Sequence, residues 1–190
     1  MAQRPAGARR GEILRAAAVL FAERGFHGVT IDDLGRAVGT TGPALYRHFP
    51  GKEALLAAML IDVSERLAAD ARARADAAPG PREALRAMLR GHIDFALTEP
   101  ALITVHDREL GNVPEPERRR IRRLQRGYVE QWVEVLSRLR PGAGAPVLRA
   151  AVHAVFGLLN STPHSAGELP PERMGALLLE MAGAALLAEG

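Results

Sequence analysis

The chain has 190 residues, 47% of them hydrophobic and 25% charged, with a formal net charge of +3. That length suits one ordinary domain or a small module joined to a larger one, and the apolar fraction is enough for a buried core, so a large multidomain machine and global disorder are both excluded. Cysteine is absent, which removes disulfides, cysteine-ligated zinc, iron-sulfur clusters and thiol nucleophiles together.

With 34 alanines and only 4% aromatic residues, the composition favours helices over strands, which need Val, Ile, Thr and aromatic side chains. An all-α chain is expected. No stretch reaches the roughly 18 apolar residues of a membrane span, and even residues 175–188 are interrupted by Glu180. Without a signal-peptide pattern at the N-terminus, the expectation is a soluble, cytoplasmic protein with no membrane partner.

Along the chain, Ile13, Ala17, Leu20 and Phe21 recur at helical spacing, and Gly25 stops this first helix. Thr30 with Asp33 three residues later forms a capping-box pattern that opens a short second helix ending at Gly39. Thr41 caps a third helix through His48, with Pro43 tolerated in its first turn. A fourth helix over residues 52–78 carries Leu56, Met59, Val63 and Leu67 on one stripe; at 1.5 Å per residue it is roughly 40 Å long. Pro79-Gly80-Pro81 breaks the chain before a fifth helix bearing Leu85, Met88, His92 and Phe95, which stops at Glu99-Pro100. A short sixth helix over 101–110 is closed by Gly111, and a seventh, ending near residue 140, shows Ile121, Leu124, Tyr128, Trp132, Val135 and Leu139. An eighth over 147–159, a polar connector and a ninth over 172–188 complete the chain.

Charge is uneven. Residues 1–52 carry eight basic side chains (Arg4, Arg9, Arg10, Arg15, Arg24, Arg36, Arg47, Lys52) against four acids, and the rest of the chain is near neutral. A basic module on a neutral body suits a nucleic-acid binder with an attached second domain. The alternative is bland: 24 of the 25 basic residues are Arg, a bias that a GC-rich coding sequence also produces.

Two short helices joined by a tight glycine-containing turn and braced by a longer one form a helix-turn-helix layout, with the second short helix as the reading helix. The string Gly28-Val29-Thr30-Ile31, Ala37-Val38-Gly39-Thr40-Thr41, Leu45-Tyr46-Arg47-His48-Phe49 and Lys52-Glu53-Ala54-Leu55-Leu56 resembles the N-terminal domain of the TetR family of bacterial transcriptional regulators, over about residues 10–58. The resemblance implies a nine-helix all-α fold, with a DNA-binding domain at 1–54 and an effector-binding and dimerisation domain at 55–190.

On this reading Thr30, Thr41, Tyr46, His48 and Lys52 meet the DNA backbone, while Gly42, Pro43, Ala44 and Arg47 face the bases. Only Arg47 among the latter has a hydrogen-bonding side chain, so it carries most direct readout, bidentate to a guanine. Leu45 and Phe49 pack inward. A half-buried Tyr46 with its hydroxyl in water is the competing reading of that residue.

The family resemblance further implies a ligand cavity among helices four to seven and a homodimer through helices eight and nine, whose apolar residues, Phe156 and Leu178 included, cover more than one stripe. His92, Phe95, His106, Tyr128 and Trp132 combine polar tips with apolar bodies and are the candidate ligand contacts. Arg119, Arg122, Arg123 and Arg126 either receive ligand phosphates or form a solvated face. Residues 102–111 and 156–165 are also similar to actinobacterial regulators of fatty-acid or acyl-CoA metabolism, which makes a fatty acyl-CoA the first effector expected.

The expected partners are thus a double-stranded DNA operator, a second copy of the chain and a small molecule. No catalytic residue, metal ligand or cofactor is expected, since the histidines show no His-Glu-x-x-His spacing and no Gly-x-Ser-x-Gly elbow exists. A DNA-binding dimer without an effector is the alternative function.

Overall fold

The structure, a computed structural model, describes residues 6–188, with side chains from residue 9 onward; Arg4 lies outside the described residues. The described residues form nine helices: α1 (Ala6–Arg24), α2 (Ile31–Ala37), α3 (Gly42–Leu45), α4 (Lys52–Ala77), α5 (Pro81–Thr98), α6 (Pro100–Glu109), α7 (Glu115–Leu139), α8 (Ala145–Leu159) and α9 (Pro171–Leu187). Single helical turns at Leu110–Asn112 and Thr162–Ser165 join them, and no strand occurs among the described residues.

The chain divides into two compact units, residues 1–63 with 101–121 and residues 64–100 with 122–190. This division differs from the boundary expected near residue 54. The start of α4 and all of α6 belong with the helix-turn-helix, and two helices, α4 and α7, run through the division.

In the first unit, α1 buries Ile13, Ala17 and Phe21 of the expected stripe together with Leu14 and Ala18, while Leu20 is only half-buried, and α4 contributes Leu55, Leu56, Met59 and Leu60. Transfer of the Ile, Leu, Met and Phe side chains among these from water supplies about 1.5–3 kcal/mol each before entropy is set against it. From α6 and the turns after it come Leu102, Ile103, Val105 and Val113, all buried.

The helix-turn-helix is shaped by its glycines. Gly39 takes φ +64, which turns the chain after α2. A Cβ on Gly35 would stand 2.8 Å from the Gly42 nitrogen, so only a residue without a side chain lets the start of α3 lie against α2. The helix α3 is shorter than the 41–48 span expected. Its hydrogen bonding loosens into a turn in which the His48 and Phe49 amides share the Leu45 carbonyl, at 2.8 and 2.9 Å.

In the second unit the core combines Leu85, Met88, Leu89 and Ile93 of α5, Tyr128, Val129, Trp132, Val133 and Leu136 of α7, Leu148, Val152, Val155 and Leu159 of α8, and Met174, Leu178, Ala182 and Leu186 of α9. The helix α9 packs on both α5 and α8. The turn at Thr162–Ser165 is pinned to α5 by a 2.8 Å hydrogen bond from the Thr162 hydroxyl to the Ala96 carbonyl.

Candidate nucleic-acid interface and ligand cluster

The helix α2 starts at a capping box. The Asp33 amide donates to the Thr30 hydroxyl oxygen (3.1 Å), while the Thr30 amide and hydroxyl donate to the Asp33 carboxylate at 3.0 and 2.6 Å. These bonds from Thr30, joined by the nearby Arg36 guanidinium, hold the Asp33 carboxyl at about 2, below its usual range. The Thr30 hydroxyl therefore has a local acceptor for its proton, whereas the Thr41 hydroxyl makes no capping bond and is exposed.

Thr30, Thr41, Pro43, Tyr46, Arg47 and His48 are all exposed, Tyr46 at 55%, and Ala44 is partly so. Gly42 differs from the other expected base-facing residues. It is buried against the Asp32 carboxylate, so what it can offer a partner is backbone. Leu45 and Phe49 are buried, as expected, at 1% and 4% exposure.

Lys52 is turned into its own domain. Its Nζ donates to the carbonyls of Phe26 (2.7 Å) and Val29 (2.8 Å) and sits 4.4 Å from the centre of the Phe26 ring. One ammonium proton remains for a phosphate, while the other two fix the loop that leads into α2. Two arginines that entered the sequence reading only through the module's charge, not as DNA contacts, brace the same module. Arg9 donates to the Val38 carbonyl at 2.6 Å, and Arg10 stacks 5.2 Å from the Phe49 ring centre. Nothing local in the sequence marks Arg9, because its acceptor lies 29 residues away.

In the second unit, four of the five expected ligand contacts come together. His92 and Phe95 of α5, Tyr128 and Trp132 of α7 and, unforeseen, Phe156 of α8 form one aromatic cluster with ring centroids 4.8–6.2 Å apart. The spacing of α7 placed Tyr128 and Trp132 on one face; the arrival of Phe156 depends on tertiary packing. His106 is not part of the cluster. It lies on α6 in the first unit, with Nδ1 3.3 Å from the Asp107 carboxylate.

His92 is buried and bonded at both nitrogens, Nδ1 to the Tyr128 hydroxyl (3.0 Å) and Nε2 to the Asn160 Oδ1 (3.1 Å). An amide oxygen only accepts, so Nε2 carries the proton and the Tyr128 hydroxyl donates to Nδ1. Burial pulls the His92 imidazole down to about 4, the Asn160 bond opposing it, and pushes the Tyr128 phenol up. Trp132 is fully buried; its indole N–H acts on the neighbouring Tyr128 hydroxyl but completes no hydrogen bond of ordinary geometry. Beside the cluster's helices, Ala71, Ala75, Ala84, Gln131 and Val135 help line a cavity of about 280 Å³ between α4, α5 and α7, and the Gln131 Oε1 is buried without a donor. Arg119, Arg122, Arg123 and Arg126 stand exposed on α7, Arg119 3.5 Å from Glu115.

Among the described residues no group of three or more His, Asp or Glu side chains is placed to hold a metal ion, and no helix is long and apolar enough to cross a membrane.

Residues 13–59 match the family described as bacterial regulatory proteins, tetR family, and residues 78–186 match the tetracyclin repressor-like C-terminal domain. The HTH-type transcriptional repressor Rv1474c of Mycobacterium tuberculosis is 30% identical over 185 residues, 90% of this chain and 89% of that one. The repressor KstR2 of the same organism is 28% identical over 130 residues, 68% of this chain and 65% of its own, so the match spans just under two thirds of that relative. The solved structure of KstR2, a ketosteroid transcriptional regulator, superposes with a TM-score of 0.79 over 97% of this chain and 98% of that one, at 22% identity. FadR of Bacillus subtilis, solved in complex with stearoyl-CoA, gives a TM-score of 0.73 at 16% identity, covering 92% of this chain and 98% of that one.

Proposed function

The chain belongs to the TetR family of bacterial regulatory proteins, and from that premise we propose that it is a transcriptional repressor, binding a palindromic operator as a homodimer and released from it by an amphipathic effector of the fatty acyl-CoA class. DNA binding rests on one observation above others: Thr41, Pro43, Tyr46, Arg47 and His48 are exposed together just before, on and just after α3, while Gly42, Leu45 and Phe49 lock that segment to its own domain. Residues 1–54 would do the reading, Arg47 at base edges and the hydroxyls and cations on phosphates.

Dimerisation is supported by an apolar face with nothing over it in the monomer. Val147, Ala150 and Ala154 of α8 and Leu177, Met181 and Ala184 of α9 are exposed at helical spacing, Val147 at 55%, Leu177 at 42% and Met181 at 47%. Apolar faces of this kind are what an obligate interface covers. Phe156 and Leu178, expected on that face, are elsewhere: Phe156 stacks on His92, and Leu178 is 3% exposed in the core of its own subunit.

Effector binding is supported by the aromatic cluster. An acyl-CoA, the class that FadR holds as stearoyl-CoA, would lay its chain against Phe95 and Trp132 and offer an acceptor to the indole N–H. A second reading, a DNA-binding dimer without an effector, draws on the closure of the same cluster: its rings pack on one another, so a ligand enters only when half-buried Phe156 moves.

Selection of bound duplexes from random DNA by the purified full-length protein tests the first part. A two-fold pseudo-palindrome with half-sites about one helical turn or somewhat more apart is expected; failure to enrich any sequence overturns the DNA-binding reading. Native mass spectrometry of the same sample separates the two readings by whether a bound acyl-CoA mass accompanies the dimer.

A further inference from the structure

Glu109, the last residue of α6, is a buried carboxylate with 8% exposure. Its partners are not cations. Oε1 accepts from the Phe26 amide at 3.1 Å, and Oε2 accepts from the Asn112 Nδ2 at 2.7 Å. Asn112 in turn places its Oδ1 3.1 Å from the His27 Nε2. Two residues at the end of α6 and in the turn after it thus grip two successive residues of the loop between α1 and α2.

That loop is held from its other side by Lys52, which takes the Phe26 and Val29 carbonyls. The Phe26 residue is therefore suspended by its N–H from α6 and by its C=O from α4. Four residues on, Thr30 is the N-cap of α2. A displacement of Glu109 has only this short, doubly anchored span to travel before it moves the first turn of the helix-turn-helix.

Burying a carboxylate without a cation is costly, and an apolar side chain at a core position would serve stability better. What the carboxylate adds is a directional grip on one amide, 83 positions away in sequence.

We propose that Glu109, seconded by Asn112, is a positioning residue for DNA binding: it ties α6 to the loop that sets α2, so that the orientation of the reading helices and the state of α6 are one coupled equilibrium. The proposal rests on the DNA-binding reading above. Because coupling is reciprocal, DNA bound to the reading helices must alter α6 as much as α6 alters DNA binding, and no effector is needed to see it.

The test is amide exchange followed by NMR on the full-length protein, alone and bound to a duplex enriched in the selection, for the unmodified chain and for Glu109→Ala, Glu109→Gln and Asn112→Ala. In the free protein, Glu109→Ala should speed exchange at Phe26 on the order of tenfold, the effect of a lost hydrogen bond. Glu109→Gln should restore protection, because its carboxamide oxygen still accepts from Phe26 and Asn112 can turn over to meet its NH₂.

With DNA, the unmodified chain and Glu109→Gln should gain protection along residues 102–113, and Glu109→Ala should not, although it still binds the duplex. Asn112→Ala, which leaves the Glu109 to Phe26 bond in place, should show a reduced gain and carries the test should Glu109→Ala prove unfolded. A Glu109→Ala protein whose residues 102–113 respond to DNA like the unmodified chain would reduce Glu109 to a structural cap and overturn the proposal. If no duplex is bound by any protein, the DNA-binding reading falls; unchanged Phe26 exchange in free Glu109→Ala would overturn the grip by itself.

Discussion

The His92 imidazole lies flat against the Phe156 ring, centroids 4.8 Å apart and planes 9° from parallel, with the Tyr128 ring on a near-parallel plane. The two nitrogens of an imidazolium in that position would face the Tyr128 hydroxyl and the Asn160 oxygen, with no carboxylate among its hydrogen-bond partners. The ring is therefore kept neutral by its surroundings, and the cluster behaves as an aromatic core with an internal polar thread.

Stability should depend on pH through this residue. Its value falls from 6.5 to about 4 on folding, so between those limits the unfolded chain binds more protons than the folded one, and stability rises with pH. The contribution is complete above about pH 6.5, is lost progressively as pH falls toward 4, and amounts to about 3 kcal/mol over that window. Urea midpoints measured from pH 4 to 7 should show this slope in the unmodified protein and a flatter one in His92→Gln. Equal slopes in the two would mean that His92 titrates normally.

Specificity and affinity should separate at the reading helices. Arg47→Ala should lose preference at one guanine per half-site, on the order of 1–3 kcal/mol. Lys52→Ala should weaken every sequence alike and flatten the salt dependence to the extent that its remaining proton meets a phosphate. Its bonds to Phe26 and Val29 add a second expectation, a loss of folding stability on the order of 2 kcal/mol. A selection profile unchanged by Arg47→Ala would remove it from base readout; a Lys52→Ala protein as stable as the parent would show that the two carbonyl bonds contribute little.

Local signals carried far through this chain. The Thr30 and Asp33 capping box, the glycine turn at Gly39 and the Pro79 to Pro81 break each depend on one or a few neighbouring residues, and each is where its residues place it. The stripe on α7 put Tyr128 and Trp132 on one face because helical spacing is a local property. Contacts that join distant segments were not legible. Phe156 reads as one more apolar residue of α8 until α8 packs against α5, and Glu109 reads as an acid at a helix end until the Phe26 amide appears beside it. For the same reason the apolar residues of α8 and α9 could be counted but not sorted: both faces are apolar, and only packing decides that Leu178 turns inward and Met181 outward.

That sorting fixes the test of dimerisation. Met181→Glu, placed on the exposed face, should give monomers with near-parental secondary structure and weak operator binding, since a single half-site loses the linked second one. Leu178→Ala should instead lower stability by about 2–5 kcal/mol, as core truncations do, and leave the oligomeric state unchanged. Sedimentation of Met181→Glu as an intact dimer would place the interface on another surface.

The effector is testable through the cluster itself, because Trp132 is the single tryptophan of the chain and its emission reports directly on the site. Acyl-CoAs of increasing chain length, the matching free acids and free CoA should be titrated against the protein with and without operator duplex. An acyl chain entering beside Trp132 must displace Phe156, so emission should change with a chain-length optimum, and the same optimum should appear in release of DNA. Release requires unequal affinity for the two states: a hundredfold weaker operator complex corresponds to about 2.7 kcal/mol of differential binding. Trp132→Phe retains the apolar bulk and lacks the N–H, so it separates packing from hydrogen bonding. A ligand that uses the indole donor should bind this variant more weakly with little change in its chain-length optimum, whereas Trp132→Ala should abolish the optimum. Neither a change in emission nor release of DNA with any of these compounds would eliminate the acyl-CoA assignment and leave the effector-free dimer standing.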